Sequence, residues 1–146
     1  MKALAVGVDL IEIDRVQKVL LRHPQRFRNR VFTPAELAVS QDRAPRLAVR
    51  FAAKEATMKA LGTGLRGIAW REIEILPDRR GKPLIYLYGA AKRRAHQLGI
   101  TSLEVSLSHS REYATATVVG LLREPPEDPQ AERRRLQEQL QEGTLP

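Results

Sequence analysis

Two carboxylates in this sequence stand where carboxylates are expensive. Glu55 falls inside the longest helical pattern, residues 46–61, four residues after Phe51 and three before Met58. Leu47, Phe51, Met58 and Leu61 mark the buried stripe of that helix, and Glu55 lies on it. Asp9 closes the apolar run of residues 3–9 (ALAVGVD) and shares a strand face with Ala3, Ala5 and Gly7, small residues that leave room beside it. A buried carboxylate is costly unless it is paired or binds a metal. An Asp/Glu pair suits Mg²⁺, which takes one or two carboxylates, several waters and substrate phosphate. Two carboxylates leave the ion close to neutral, able to polarise a phosphate oxygen as a Lewis acid. Lys59, four residues after Glu55, would neutralise part of a diphosphate's charge as a bond breaks. Each residue also has a plainer reading. Glu55 and Lys59 have the spacing of an ordinary surface pair on a helix, and Asp9 could cap the next turn or pair with Arg15.

The elements that must position these residues follow from periodicity. Residues 3–9 read as a buried strand ending at Asp9. A helix carrying Val16, Val19, Leu20 and His23 follows, with Pro24 as its stop. Thr33-Pro34-Ala35-Glu36 is a capping box with proline at the first helical position. The long helix then ends at Gly62 and Gly64. Residues 70–76 alternate as a strand, with Ile73 and Ile75 on one face and Trp70, Glu72 and Glu74 on the other. A turn at residues 78–81 leads to a strand at 84–88. A short helix at 89–98 turns Ala91, Ala95 and Leu98 inward, and strands 103–108 and 113–122 form a hairpin. The order predicts an α+β fold, a mainly antiparallel sheet packed against helices.

Composition narrows the class. The chain of 146 residues has no cysteine, which excludes disulfides and thiol chemistry. No apolar run approaches the roughly 18 residues of a membrane span, and the amino terminus makes a poor signal peptide. Cytoplasmic residence and no membrane partner are expected. Twenty-two of the 25 basic residues and 11 of the 17 acidic ones lie in residues 1–123, a balance of +11. Residues 124–146 carry −3 and begin with Pro125, Pro126 and Pro129. The predicted organisation is one domain over 1–123 and an acidic extension over 124–146, flexible or with a short helix near 130–141. So basic a body implies an anionic partner. Arg15, Arg22, Arg26, Arg28 and Arg30 form a basic face that suits an acidic protein helix. With aromatic residues at 5% and no nucleic-acid-binding signature, nucleic acid is not the expected partner. Among the three histidines, His23 and His96 read as surface residues, and His109, between two serines at the hairpin, could donate to a phosphate.

The chain resembles the holo-acyl-carrier-protein synthases, the small bacterial branch of the 4′-phosphopantetheinyl transferases. The matching segments are Gly7-Val8-Asp9-Leu10-Ile11-Glu12-Ile13 with Arg15, then Phe32-Thr33-Pro34-Ala35-Glu36. Arg50-Phe51-Ala52-Ala53-Lys54-Glu55-Ala56, continuing through Lys59-Ala60-Leu61-Gly62-Thr63-Gly64, is the strongest. Gly81-Lys82-Pro83, Ser106-Leu107-Ser108-His109-Ser110 and Glu112-Tyr113-Ala114 complete the ordered set. The resemblance implies the 4′-phosphopantetheinyl transferase fold and transfer of 4′-phosphopantetheine from coenzyme A to a serine of apo acyl carrier protein. It implies Asp9 and Glu55 as Mg²⁺ ligands, with both and Lys59 at the catalytic centre. Arg50, Lys59, Gly62, Pro83 and His109 would contact coenzyme A, and Arg15, Arg26 and Arg30 would receive the acidic carrier helix. A homotrimer with the cofactor in the cleft between subunits is implied too. The stretch between Glu36 and Arg50 is shorter than the family pattern, and the acidic extension is additional to it. Other classes of reading are a broader transferase for carrier domains and a non-catalytic basic binding module. The single copy of each motif counts against the first, and the retained Asp9, Glu55 and Lys59 against the second.

Overall fold

In the computed structural model, which describes residues 3–123 and 129–143, the amino-terminal apolar run becomes β1, Leu4–Glu12. The expected end at Asp9 is overrun because Leu10 and Ile11 keep alternating, Ile11 buried and Leu10 exposed. α1 (Ile13–Arg22) follows at once, burying Ile13, Val16 and Leu20. α2 (Pro24–Val31) was not expected. Pro24 does stop α1, but its fixed φ also suits the first turn of the next helix, where its missing N–H is not needed. The capping box opens α3 (Pro34–Ser40) as expected: Thr33 Oγ1 accepts from Glu36 N at 3.2 Å, and Glu36 Oε1 accepts from Thr33 N at 3.0 Å. α4 (Ala44–Leu61) is ended by Gly62, whose φ of 71° is left-handed and whose N–H donates to Lys59 O at 3.1 Å.

The expected strand at 70–76 is corrected at its start. Trp70–Glu72 is a 3₁₀ turn, and β2 spans Ile73–Pro77. Glu72 leaves the strand to cap α5 (Gly89–Gln97), its Oε2 accepting the N–H of Ala90 and, at 3.4 Å, of Ala91. Glu74, on the face opposite Ile73 and Ile75 as expected, is buried as they are, at 8% exposure. β3 (Pro83–Leu87) returns antiparallel to β2 after a turn in which Asp78 Oδ1 accepts from Arg80 N and Lys82 N. β4 (Ile100–His109) and β5 (Tyr113–Leu122) form the expected hairpin; β4 runs beyond the expected 103–108 at both ends, β5 has the expected bounds, and the register shifts between Ile100 and Ser102. α6 (Pro129–Glu142) is the carboxy-terminal helix. Residues 124–128 and 144–146 of the acidic extension lie outside the described residues.

The fold is α+β with antiparallel pairing throughout, one sheet ordered β1-β5-β4 and a second of β2 and β3. α4 crosses the inner face of the larger sheet, contacting β1 and β5. Small residues let it sit close: Ala48, Ala52, Ala53 and Ala56 on the helix, Ala114 and Ala116 on β5, all at 0% exposure. Gly7 makes the closest approach, since a Cβ there would overlap the Ala56 carbonyl and stand 2.9 Å from Ala60 N. On the outer face of the same sheet β1 exposes a row of apolar side chains, Leu4, Val6, Val8 and Leu10, at 55% to 63% exposure. Among the described residues no helix is long and apolar enough to cross a membrane.

Candidate active site

The close seat of α4 on β1 brings Asp9, Glu55 and Lys59 together. Asp9 sits mid-strand on the inner face, its side chain 11% exposed. Lys59 Nζ stands 3.2 Å from Asp9 Oδ1 and donates to Val8 O at 3.0 Å. Lys59 therefore pairs with Asp9 across 50 residues, where the plainer sequence reading had it pair with Glu55 on its own helix. The second oxygen of Asp9 is buried, and among the described residues no N–H or hydroxyl donates to it. Glu55 stands beside it, and its carboxyl is pushed up from 4.5 to about 7. Burial is the largest cause, followed by hydrogen bonding to Asp9 and repulsion from it; Lys59 and Arg15 pull the other way.

Two ionised carboxylates cannot hydrogen-bond each other, so this pair needs a shared proton or a cation between its oxygens. Two neighbouring carboxylates, one with a buried oxygen that no N–H or hydroxyl meets, are a fit for a divalent ion. Among the described residues no third His, Cys, Asp or Glu joins them. The remaining positions would fall to water and substrate, the pattern Mg²⁺ prefers over a full protein cage.

Glu55 borders two cavities of about 290 Å³ each. One is lined by Asp9, Arg15, Val19, Phe27 and Phe51. The other is lined by Met58, Lys59, Gly64, Leu65 and Trp70. Arg15 thus reaches the carboxylate pair from α1. Arg26 and Arg30 are exposed on α2, whereas Arg28 between them is engaged, Nε with Asp42 Oδ1 at 2.8 Å and Nη1 with Pro24 O at 2.8 Å.

The other predicted coenzyme contacts lie apart in the chain. Gly62 ends α4 one turn beyond Lys59. Arg50 is about 140° round α4 from Glu55 and is buried, with Nε donating to Ile75 O at 3.1 Å and Nη1 to Arg46 O at 3.2 Å. Burial lowers its pKa, opposed by Glu36. Pro83 begins β3, next to Lys82, whose Nζ pairs with Glu104 at 3.0 Å. His109 ends β4 in register with Ala114, which pairs with Ile11. It is therefore on Asp9's face but two strands, roughly 10 Å, across the sheet.

Sequence reasoning missed a fully buried ion pair, Lys54 with Glu36. Lys54, at 0% exposure, donates to Glu36 Oε1 at 2.7 Å, to Trp70 O at 3.1 Å and to Ile73 O. Three acceptors match the three N–H groups of an ammonium. Desolvation pulls its pKa down, opposed chiefly by Glu36. Glu36 in turn accepts from Thr33 N and, through Oε2 at 3.0 Å, from Ile75 N. Glu74 accepts from Thr33 Oγ1 at 2.5 Å and Tyr88 OH at 2.8 Å, which raises the tyrosine pKa. The signal was present: positions 47, 51, 54, 58 and 61 step by four and three, so Lys54 fills the stripe as well as Glu55 does. The structure gives Lys54 the buried place and leaves Glu55 at its border.

The family model described as the 4′-phosphopantetheinyl transferase superfamily matches residues 5–118. A holo-[acyl-carrier-protein] synthase of Herpetosiphon aurantiacus is 54% identical over 125 residues, covering 81% of this chain and 98% of that protein. The crystal structure of the Helicobacter pylori holo-[acyl-carrier-protein] synthase in complex with coenzyme A is similar at a TM-score of 0.73 and 33% identity, covering 79% of this chain and 98% of that one. The Chronobacterium ammoniagenes coenzyme A complex gives 0.73 and 34%, covering 84% and 99%.

Proposed function

This chain belongs to the 4′-phosphopantetheinyl transferase superfamily, and from that premise we propose how its residues carry out the reaction. It is a holo-[acyl-carrier-protein] synthase, moving 4′-phosphopantetheine from coenzyme A to a serine of apo acyl carrier protein. The serine oxygen attacks the phosphorus that bears pantetheine, the bond to the bridging oxygen breaks, and adenosine 3′,5′-bisphosphate leaves.

Asp9 and Glu55 hold Mg²⁺, and the observation that carries this is the buried Oδ2 of Asp9 with no donor of its own. When bound, the ion supplies Lewis acidity to the diphosphate. Lys59, half exposed beside the pair, counters charge that builds on the bridging oxygen. Glu55, at the border of both cavities, is placed to receive the serine proton, directly or through a water. Arg15, at the mouth of the first cavity, with Arg26 and Arg30 beyond it, guides the acidic carrier to this side of Glu55. Coenzyme A takes the Lys59 side, with Gly62 close to the diphosphate.

Arg50, Pro83 and His109 complete the coenzyme site from another subunit of a homotrimer. Two features support that assembly. These residues do not line the Asp9 cleft of their own chain, and the outer face of β1 and β5 carries an apolar patch, with Leu4 opposite Leu121 and Val6 opposite Val119. The extension from residue 124 is an appendage to the catalytic domain, and the enzyme works in the cytoplasm. Intact mass of apo acyl carrier protein, after incubation with this protein, coenzyme A and Mg²⁺, tests the reaction. A gain of one phosphopantetheine that EDTA prevents is expected; a gain that persists in EDTA removes the metal assignment.

A further inference from the structure

Lys54 is a fully buried charge that no step above uses, and it does not line the cleft of Asp9 and Glu55. One of its acceptors nevertheless ties it to both cavities. The Trp70 carbonyl accepts a hydrogen bond from Lys54 Nζ at 3.1 Å, and the Trp70 ring stacks on Phe51 with centroids 4.9 Å apart and planes at 24°. Phe51 lines the cavity that holds Asp9, and Trp70 lines the one that holds Lys59. The two rings form a partition between the cavities with Glu55 at its edge. Glu36, the second acceptor, is itself fixed by the N–H groups of Thr33 and Ile75, so Lys54 is held against α3 and β2 at once.

We propose that Lys54 is a positioning residue for the transfer: through the Trp70 carbonyl it sets the Phe51–Trp70 partition, and so where Glu55 stands between the two substrates. This rests on the reading of Asp9 and Glu55 as the reaction centre. The side chain acts from the buried face of the helix that presents Glu55 to the cavities. It touches neither substrate, so its effect falls on the placing of the reacting groups more than on binding.

Trp70 is the only tryptophan, so its emission reports the partition directly. The variants are Lys54→Met, which keeps the length, and Lys54→Met with Glu36→Gln, which removes the carboxylate charge otherwise left buried. Below their melting temperatures, emission should shift to the red and acrylamide quenching should rise. The kcat should fall about tenfold or more while the KM for coenzyme A moves less than about twofold, as misplacement near a reacting centre does. A folded variant that loses only melting temperature, with emission, quenching and kcat unchanged, overturns the proposal. In the unaltered protein, coenzyme A with Mg²⁺ should change Trp70 emission. An unchanged spectrum at saturation separates the partition from the site and also overturns it. Should the unaltered protein leave apo carrier unmodified, the reading of the site fails, while emission and quenching of the variants still judge Lys54.

Discussion

Helix α4 contributes two lysines, five residues apart, each to a carboxylate from another element, and the two groups differ in how completely they are satisfied. Lys54 with Glu36 is closed: three acceptors meet the ammonium, and both carboxylate oxygens have donors. Lys59 with Asp9 is open: the lysine is more than half exposed, one aspartate oxygen has no donor, and a second carboxylate crowds it. A closed group inside a protein holds elements together, and its charge is spent on partners within the chain. An open one keeps unused electrostatic capacity for something that arrives from outside. Charge and residue type alone do not separate the two, because the same pair of chemistries serves both.

The largest break in this comparison comes from the open pair. Asp9→Ala or Glu55→Ala should lower kcat/KM on the order of 10³-fold or more with little loss of melting temperature, checked by carrier modification rates beside a thermal melt. The closed pair should show the reverse weighting. Glu36→Ala strands Lys54 and strips an acceptor from two N–H groups, and urea unfolding should show a loss of about 3–5 kcal/mol. Gly7→Ala probes the seat between them. The added Cβ would overlap the Ala56 carbonyl, so α4 must move off β1, at roughly 1–3 kcal/mol. Activity should fall more than stability implies, because the displaced turn carries both Glu55 and Lys59; kinetics at a temperature well below the melt would show it.

The smallest effect sharpens the open side through pH. Glu55 titrates near 7 in the folded chain against 4.5 ordinarily. Between those values the folded chain holds more protons than the unfolded one, so stability falls as pH rises. The contribution is whole below 4.5 and gone once pH passes 7. In EDTA the melting temperature should therefore decline from pH 5 to pH 8 by a few degrees. Glu55→Gln should flatten that decline, and Mg²⁺ added at pH 8 should reverse it. A flat profile in the unaltered protein would show that Glu55 is not crowded by Asp9.

Local rules were legible in the sequence, and distant partnerships were not. The Thr33–Glu36 box, the Gly62 stop and the costly placing of Asp9 and Glu55 depend on neighbours within a turn or a strand. Pro24 misled because a proline ends one helix and begins another with the same fixed φ. Glu74 falls opposite Ile73 and Ile75, and nothing local shows that Thr33, 41 residues earlier, meets it. Lys54 and Glu55 compete for one stripe, and the sequence holds nothing local to say that Glu36 and two main-chain carbonyls wait on the lysine's side. Lys59 likewise has a ready local partner in Glu55 and takes Asp9 instead, a choice made by the approach of α4 to β1.

β1 carries Asp9 on one face and Val8 and Leu10 on the other. If, as proposed, other copies of the chain cover that apolar face, they also brace the backbone that holds the aspartate, and turnover is linked to mass action. Specific activity would then depend on how much protein is in the tube. Dilution assays that treat rate as proportional to enzyme would show upward curvature, and the concentration at which it straightens would be a dissociation constant read from catalysis.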